Sequence, residues 1–411
     1  MNIGIVTTWC ERGAAMVSRA YMKTLSHQHK VFIYARGGGY YAQGNPEWDG
    51  EHVTWGKRIP GKKVDWKEFK GWISKNRLDM VIFNEEHDWE LVIKTLKTGI
   101  IAGAYVDYYK PETIPFFWLY DFLLCNTKRH YSVFKDHPQA FYIPWGTDID
   151  VFKHQDKLND GVTFFHSAGM SPLRKGTDIL VRAFQNVNGK VKLIIHSQGA
   201  FIEHPPTASI IAGDPRIELI EKEITAPGLY HLGDIYVYPT RLEGIGLTIA
   251  EALASGLPVI TTDAQPMNEF VVNELNGRLV KVEKYNTRAD NYYWPESICS
   301  ETGLTEAMQF YVDNISTLGD YKYRARQYAE TNLNWEKNSQ VLRNLVENIS
   351  RNPGRSDRRL VKSAAIYEWY KYHRYPKPVE YAIIALQRIG AGWMRRFLKN
   401  LLPSKLIGDT K

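Results

Sequence analysis

This 411-residue chain contains two glutamates and two glycines close together in sequence. Residues of these types at this spacing could bind a charged ligand. Glu243 and Glu251 are separated by seven residues, and Gly244 and Gly246 follow the first glutamate. Glycine lets a backbone approach a ligand closely. A helical pattern begins at about Gly246, so the amides from Gly244 to Leu247 are the unpaired donors of a helix start. Together with the helix dipole, they favour an anion such as a diphosphate.

Two carboxylates beside a bound anion would repel it unless they face hydroxyl groups. A nucleotide sugar offers that combination, because it joins a diphosphate to a sugar and to a ribose. We therefore predict that the amides hold the phosphates, that Glu243 contacts hydroxyls of the sugar and that Glu251 contacts the ribose.

The elements around these residues must hold them in place. Ile235–Tyr238 is short and apolar, as expected of a buried strand, and a helix is predicted from about Gly246 to Ala254. Ser255-Gly256-Leu257-Pro258 ends that helix, and β-branched Val259–Thr262 predicts the next strand. A strand, loop, helix and strand in this order build a parallel sheet covered by helices, so we expect an α/β fold.

The stretch resembles the E-x7-E signature of retaining glycosyltransferases with the GT-B fold, in particular glycosyltransferase family 4. The matching residues are Pro239-Thr240, Glu243-Gly244-Ile245-Gly246, Glu251-Ala252, Ala254, Gly256 and Pro258-Val259. The resemblance implies two Rossmann-like, doubly wound parallel-sheet domains that face a cleft. It also implies transfer of a sugar to a hydroxyl acceptor with retention and without a metal or other cofactor, in glycan or polysaccharide assembly.

A second motif supports this resemblance. Gly169 to Gly176, read as GMSPLRKG, is similar to the family's GRLxxxKG element. Lys175 then matches the lysine that neutralises the departing diphosphate. Met170 stands at the position of the family's arginine, and the adjacent Arg174 is expected to supply that charge.

The N-terminal half begins with a strand over Asn2–Thr7, a loop and a helix over 14–25. Gly13 in this loop is either a turn glycine or, as the resemblance implies, a backbone position near the donor phosphates. The loop lacks the G-x-G-x-x-G fingerprint, which argues against a nicotinamide oxidoreductase.

Polar residues follow two further predicted strands, Met80–Phe83 and Ile100–Val106. Such residues line the crevice of an open parallel sheet. The family often has a histidine near the transferred sugar after the second of these strands, where this chain has Asp107. We expect Asp107 to take part in catalysis and His87 to be a possible sugar contact. Each could instead be a solvated side chain or a helix cap.

The chain length predicts two or three domains. The resemblance implies an acceptor-side domain over residues 1–158 and a donor-side domain over residues 159–350, followed by a tail over 351–411. The net charge of +7 comes from this tail, which holds 14 Lys or Arg and 4 Asp or Glu. The folded body therefore lacks a basic excess, which argues against a nucleic-acid enzyme. The three cysteines show neither a disulfide framework nor a metal spacing, which favours a reducing, cytoplasmic compartment.

The tail contains a predicted amphipathic helix over 379–402, with Trp393 on its apolar face and Arg388, Arg395 and Lys399 opposite. This helix could lie on the inner face of an anionic membrane or brace the N-terminal domain. Residues 286–303 resemble an insertion without an assigned role.

Two other functions fit the fold, namely a sugar-nucleotide epimerase and a non-catalytic binding scaffold. The donor sugar, its base, the acceptor and the oligomeric state stay open.

Overall fold

The structure is a computed structural model that describes residues 1–37, 42–57, 64–86, 88–153, 161–198 and 204–373. Within these residues the chain builds two parallel β-sheets with helices on their faces. This arrangement confirms the predicted α/β fold of two Rossmann-like domains. The predicted helix over 379–402 and His87 lie outside the described residues.

The first domain has a seven-stranded sheet in the order β3-β2-β1-β4-β5-β6-β7. Its strands are β1 (Asn2–Thr7), β2 (Lys30–Ala35), β3 (Val53–Trp55), β4 (Met80–Asn84), β5 (Ile101–Tyr105), β6 (Phe122–Cys125) and β7 (Ala140–Tyr142). Its helices are α1 (Gly13–Leu25), α2 (Trp66–Lys75), α3 (Trp89–Leu96) and α4 (Lys128–Phe134), with a 3-10 helix over Pro111–Leu119. The central strands are mostly apolar, as is typical of a parallel sheet whose two faces are covered by helices.

The second domain has a six-stranded sheet in the order β10-β9-β8-β11-β12-β13. Its strands are β8 (Val162–Gly169), β9 (Val191–Ser197), β10 (Ile217–Glu221), β11 (Ile235–Tyr238), β12 (Val259–Thr262) and β13 (Gly277–Val280). Its helices are α5 (Thr177–Gln185), α6 (Pro205–Gly213), α7 (Leu247–Ala254), α8 (Glu301–Asp313) and α9 (Leu318–Asn332). β11, α7 and β12 form the strand, loop, helix and strand unit that the sequence predicts.

The stretch 286–303 forms most of an antiparallel hairpin of β14 (Val282–Asn286) and β15 (Glu296–Cys299). We refer to residues 282–299 as the hairpin. Its connecting segment reaches the first domain, where the ring of Tyr292 stacks on that of Tyr108 at 5.0 Å between centroids. The insertion is therefore a bridge between the two domains.

The chain returns to the first domain after α9. Two short helices, α10 (Trp335–Asn338) and α11 (Gln340–Asn348), follow. The ring of Trp335 packs on that of Trp145 at 4.6 Å, and the hydroxyls of Thr24 and Ser339 lie 3.0 Å apart.

Residues 352–373 also lie on the first domain, with a last helix α12 (Arg358–His373) that packs on α3. Arg355 forms an ion pair with the fully buried Asp121 at 2.5 Å, and the Asn352 amide donates to the same carboxylate. Buried polar contacts therefore fix this part of the tail on the first domain.

Candidate active site

The site lies at the N-terminus of α7, where the second domain faces the first. Gly246 caps this helix with a φ of +94°, a backbone conformation that favours glycine. In the loop before it, residues 243–246, the carbonyl groups of Glu243 and Gly244 contact side chains of the first domain.

Glu243 is buried at the centre of a cluster of cations and hydroxyls. Its Oε1 lies 2.7 Å from Nζ of Lys175 and 3.4 Å from Arg174. The hydroxyls of Tyr238 and Thr240 donate to the same oxygen, at 2.9 and 2.7 Å. The predicted repulsion between this carboxylate and an anion is thus reduced by two adjacent cations.

This cluster keeps Glu243 ionised. Burial by itself raises the pKa of a carboxyl group, but the charges of Lys175 and Arg174 and the hydrogen bonds from Lys175 and Thr240 lower the pKa of Glu243 to about 2. At neutral pH the cluster therefore holds one negative and two positive charges, and a surplus positive charge is available to an anionic ligand.

The two cations come from the turn between β8 and α5. Gly176 caps α5 with a φ of +74°, and a Cβ at this position would lie 2.0 Å from the carbonyl oxygen of Pro239. Only glycine lets this turn pack on the loop after β11. Arg174 donates to the Leu242 carbonyl at 2.7 Å, while the side chain of Met170 is 62% exposed. Arg174 thus lies beside the Glu243 carboxylate.

Glu251 lies one turn into α7 and is half-buried. It accepts a hydrogen bond from the Tyr230 hydroxyl at 2.6 Å. Burial raises the pKa of Glu251, and the Tyr230 hydrogen bond partly opposes this shift. The carboxyl group is held in place in the second domain, in a position suited to accept or donate a hydrogen bond.

Two predicted residues of the first domain approach the same loop. A Cβ on Gly13 would lie 3.7 Å from Leu247, and the Cβ of Asp107 lies 3.9 Å from the corresponding position on Gly244. The structure thus brings Gly13 and Asp107 to the start of α7 from across the cleft.

Burial and the neighbouring Glu85 carboxylate raise the pKa of Asp107 well above its usual range. A carboxyl group in this environment tends to keep its proton, so it can donate a hydrogen bond. Glu85 has a φ of +52°, which is uncommon for a residue other than glycine. The backbone at the end of β4 therefore places a second carboxyl group beside Asp107.

Sequence reasoning missed the residues of α4 that hold the loop. Arg129 donates to the carbonyls of Glu243 and Gln265, and Nε2 of His130 lies 3.1 Å from the Gly244 carbonyl oxygen. Both side chains are almost fully buried. No sequence motif distinguishes them, because their partners lie more than 100 residues away in the chain.

Metal-binding clusters and membrane-spanning helices are both absent from the described residues. No group of three or more His, Cys, Asp or Glu side chains in the described ranges is placed to hold a metal ion. Across the same part of the chain, no helix combines the length and the apolar character needed to cross a bilayer.

Comparison with known proteins concerns the family of the second domain. Residues 161–291 match the family model described as glycosyl transferases group 1. The lipopolysaccharide core biosynthesis mannosyltransferase LpsB of Rhizobium meliloti is 34% identical over 77 residues, which cover 18% of this chain and 22% of that protein. The matches span between 22% and 44% of the length of the curated relatives.

Solved structures resemble the chain over a larger part of its length. A sucrose-phosphate synthase from Thermosynechococcus elongatus superposes with a TM-score of 0.68 at 14% identity, covering 84% of this chain and 98% of that one. HepE of Anabaena, solved in complex with UDP and glucose, superposes with a TM-score of 0.65 at 14% identity. The match covers 84% of this chain and 99% of HepE. At this identity the structures show the fold. The chain therefore has the GT-B fold, and its second domain carries the segment that matches the glycosyl transferases group 1.

Proposed function

We propose that the protein is a retaining, metal-independent glycosyltransferase that moves a sugar from a nucleotide-sugar donor to a hydroxyl acceptor during glycan assembly. The observation that carries this proposal is the cluster of Lys175, Arg174 and Glu243 beside the amide end of α7. Two cations and a helix start are suited to neutralise a diphosphate as it leaves. The group 1 match and the UDP complex of HepE support a nucleotide sugar as the ligand.

Each residue has a role in this scheme. Lys175, Arg174 and the amides from Gly244 to Leu247 stabilise the departing diphosphate. Glu243 accepts hydrogen bonds from hydroxyls of the donor sugar, and Glu251 does so from the ribose.

The first domain supplies the acceptor side of the cleft. Gly13 leaves room for the donor phosphates beside Leu247, and Asp107 faces the sugar and the acceptor hydroxyl. His87 remains a proposed sugar contact. The acceptor oxygen attacks the anomeric carbon from the face that the phosphate leaves, so its configuration is retained. The bond from this carbon to the phosphate oxygen breaks as the new bond forms, and the acceptor proton passes to the leaving phosphate.

The scheme needs neither a bound cation nor another cofactor, because Lys175, Arg174 and the helix start supply the positive potential. We further propose that the enzyme acts in the cytoplasm, on a membrane surface. The support is the basic composition of residues 351–411, with 14 Lys or Arg against 4 Asp or Glu. Such a composition favours contact with anionic lipids that carry a glycan acceptor.

A panel of nucleotide sugars tests the proposal, starting with UDP-glucose and UDP-N-acetylglucosamine. We expect one donor to raise the melting temperature and to be hydrolysed slowly without an acceptor. Glu243→Gln should abolish this turnover, while the control Glu274→Gln on the exposed surface should keep it. No binding across the panel, or equal turnover in both variants, would contradict the assignment. Conversion of the donor to an isomeric sugar nucleotide would point to an epimerase instead.

A further inference from the structure

We refer to residues 243–246, before α7, as the donor loop. A continuous series of hydrogen bonds through the first domain joins the hairpin to this loop. Nε1 of Trp294 lies 2.6 Å from the hydroxyl of Tyr109, and this hydroxyl lies 3.0 Å from Nδ1 of His130. Nε2 of the same imidazole lies 3.1 Å from the carbonyl oxygen of Gly244. The series therefore starts in the second domain, crosses two residues of the first and ends in the second.

Chemistry fixes the direction of every proton in this series. The indole of Trp294 can only donate, so the oxygen of Tyr109 accepts from it. The Tyr109 proton is then given to Nδ1 of His130, which must be the unprotonated nitrogen. Nε2 therefore carries the hydrogen and donates to Gly244. Only the Nε2–H tautomer of His130 satisfies all three contacts.

The surroundings support a neutral imidazole. His130 is fully buried, and Tyr109 is 1% exposed. Burial and the adjacent Arg129 lower the pKa of His130 well below its usual range, against the opposing effect of its contact with Gly244. At neutral pH the ring has one donor and one acceptor, as the series requires.

The end of the series determines which way a peptide group faces. In a trans peptide the carbonyl and the next amide point in opposite directions. When His130 holds the Gly244 carbonyl, the amide of Ile245 is directed away from α4. Arg129 holds the preceding carbonyl, that of Glu243, in the same way. The carbonyl dipoles of Glu243 and Gly244, which would repel an anion, thus point toward the first domain.

We propose that Trp294, Tyr109 and His130 are positioning residues that orient the Gly244–Ile245 peptide toward the donor diphosphate. They act through this peptide and do not touch the ligand. The inference rests on the proposed function and deepens it, because it assigns a role to the hairpin and makes diphosphate affinity depend on contact between the two domains.

Tyr109→Phe tests this proposal in the full-length protein. The variant keeps the ring and its packing but removes the hydroxyl that joins Trp294 to His130. Tyr293→Phe, at a 40% exposed residue next to Trp294 on the hairpin, is the matched control. The affinity for UDP is measured by calorimetry and that for uridine by saturation-transfer NMR. Thermal unfolding of each variant is recorded in parallel.

We expect Tyr109→Phe to weaken UDP binding about tenfold, the loss of about 1.4 kcal/mol from one buried hydrogen bond. Uridine affinity should stay within about twofold, because the nucleoside does not contact the peptide. Unchanged UDP affinity, or an equal loss for UDP and uridine, overturns the proposal. The second of these results would show a general structural effect.

The tautomer is an independent readout. Nitrogen-15 NMR of histidine-labelled protein, with the His130 signals assigned through His130→Gln, should show hydrogen on Nε2. Hydrogen on Nδ1 overturns the proposal even if donor binding changes. If the wild-type protein binds neither UDP nor another nucleoside diphosphate, the proposed function itself fails. That result is recognised before any variants are compared.

Discussion

Replacement of Glu243 by glutamine tests the electrostatic account of the site. The carboxylate is buried and shares Oε1 with Lys175, Arg174 and two hydroxyls. Glutamine keeps the size and most of the hydrogen-bonding capacity but removes the negative charge. Two cations are then left in a buried site without their partner, an arrangement that costs about 3–5 kcal/mol in comparable cases.

The pKa of Glu243 gives a second, independent magnitude. A fall from 4.5 to about 2 corresponds to about 3 kcal/mol of stability, at about 1.4 kcal/mol per pKa unit. Because the folded pKa is lowered, this contribution is complete above the unfolded value of 4.5 and is lost as the pH falls through about 2. At pH 3 about 1 kcal/mol should remain.

The assay is urea unfolding followed by pulsed hydrogen exchange of the peptide 235–254. This peptide isolates the transition of the second domain, since a two-domain chain need not unfold in one step. Glu243→Gln should lower the free energy of unfolding by about 3 kcal/mol at pH 7 and by about 1 kcal/mol at pH 3. Glu274→Gln, an exposed control, should change it by less than about 0.5 kcal/mol. A loss under about 1 kcal/mol at pH 7, or a loss independent of pH, would refute the ion-pair account.

Three further predictions concern other residues. Lys175→Met should lower kcat/KM about 100-fold in a donor hydrolysis assay, since it removes a charge that stabilises the leaving group; a loss under about threefold would contradict this role. Asp107→Asn should raise the melting temperature at pH 8 and leave it unchanged at pH 4. Its raised pKa costs stability only where the unfolded carboxyl group ionises, so an equal effect at both pH values would contradict the shift. Asp121→Asn should expose residues 352–373 to limited proteolysis, because it removes the buried partner of Arg355; an unchanged cleavage pattern would show that apolar packing alone holds the segment.

Local sequence was sufficient to predict the core of the second domain. The loop and helix at Glu243 to Ala254 depend on glycines, a helix period and a terminal Gly-Leu-Pro, all within about 20 residues. The same holds for the turn at Gly176, whose glycine is required by a left-handed backbone and a close approach to Pro239. Such features act on their neighbours in the chain, so their signals are visible without tertiary structure.

The residues that hold the donor loop could not be predicted in this way. Arg129 and His130 have no periodicity or motif, and their function arises from contacts that form only when the two domains meet. The hairpin likewise reads as an unassigned polar and aromatic stretch until Tyr292 is placed on Tyr108. Helix α6 was missed although Pro205 and Pro206 lie in its first turn, a recognised start signal.

The N-terminal amides of helix α4 are capped by residues of both domains. Its own Thr127 accepts the amide of His130, but the amides of Lys128 and Arg129 donate to Glu269 of the second domain, at 2.6 and 2.8 Å. Whenever the cleft opens far enough to separate these groups, the two amides lose their protection from solvent exchange. Their exchange rates therefore measure how often the domains part. Comparison of those rates with turnover would show whether release of the spent nucleotide waits for the same motion.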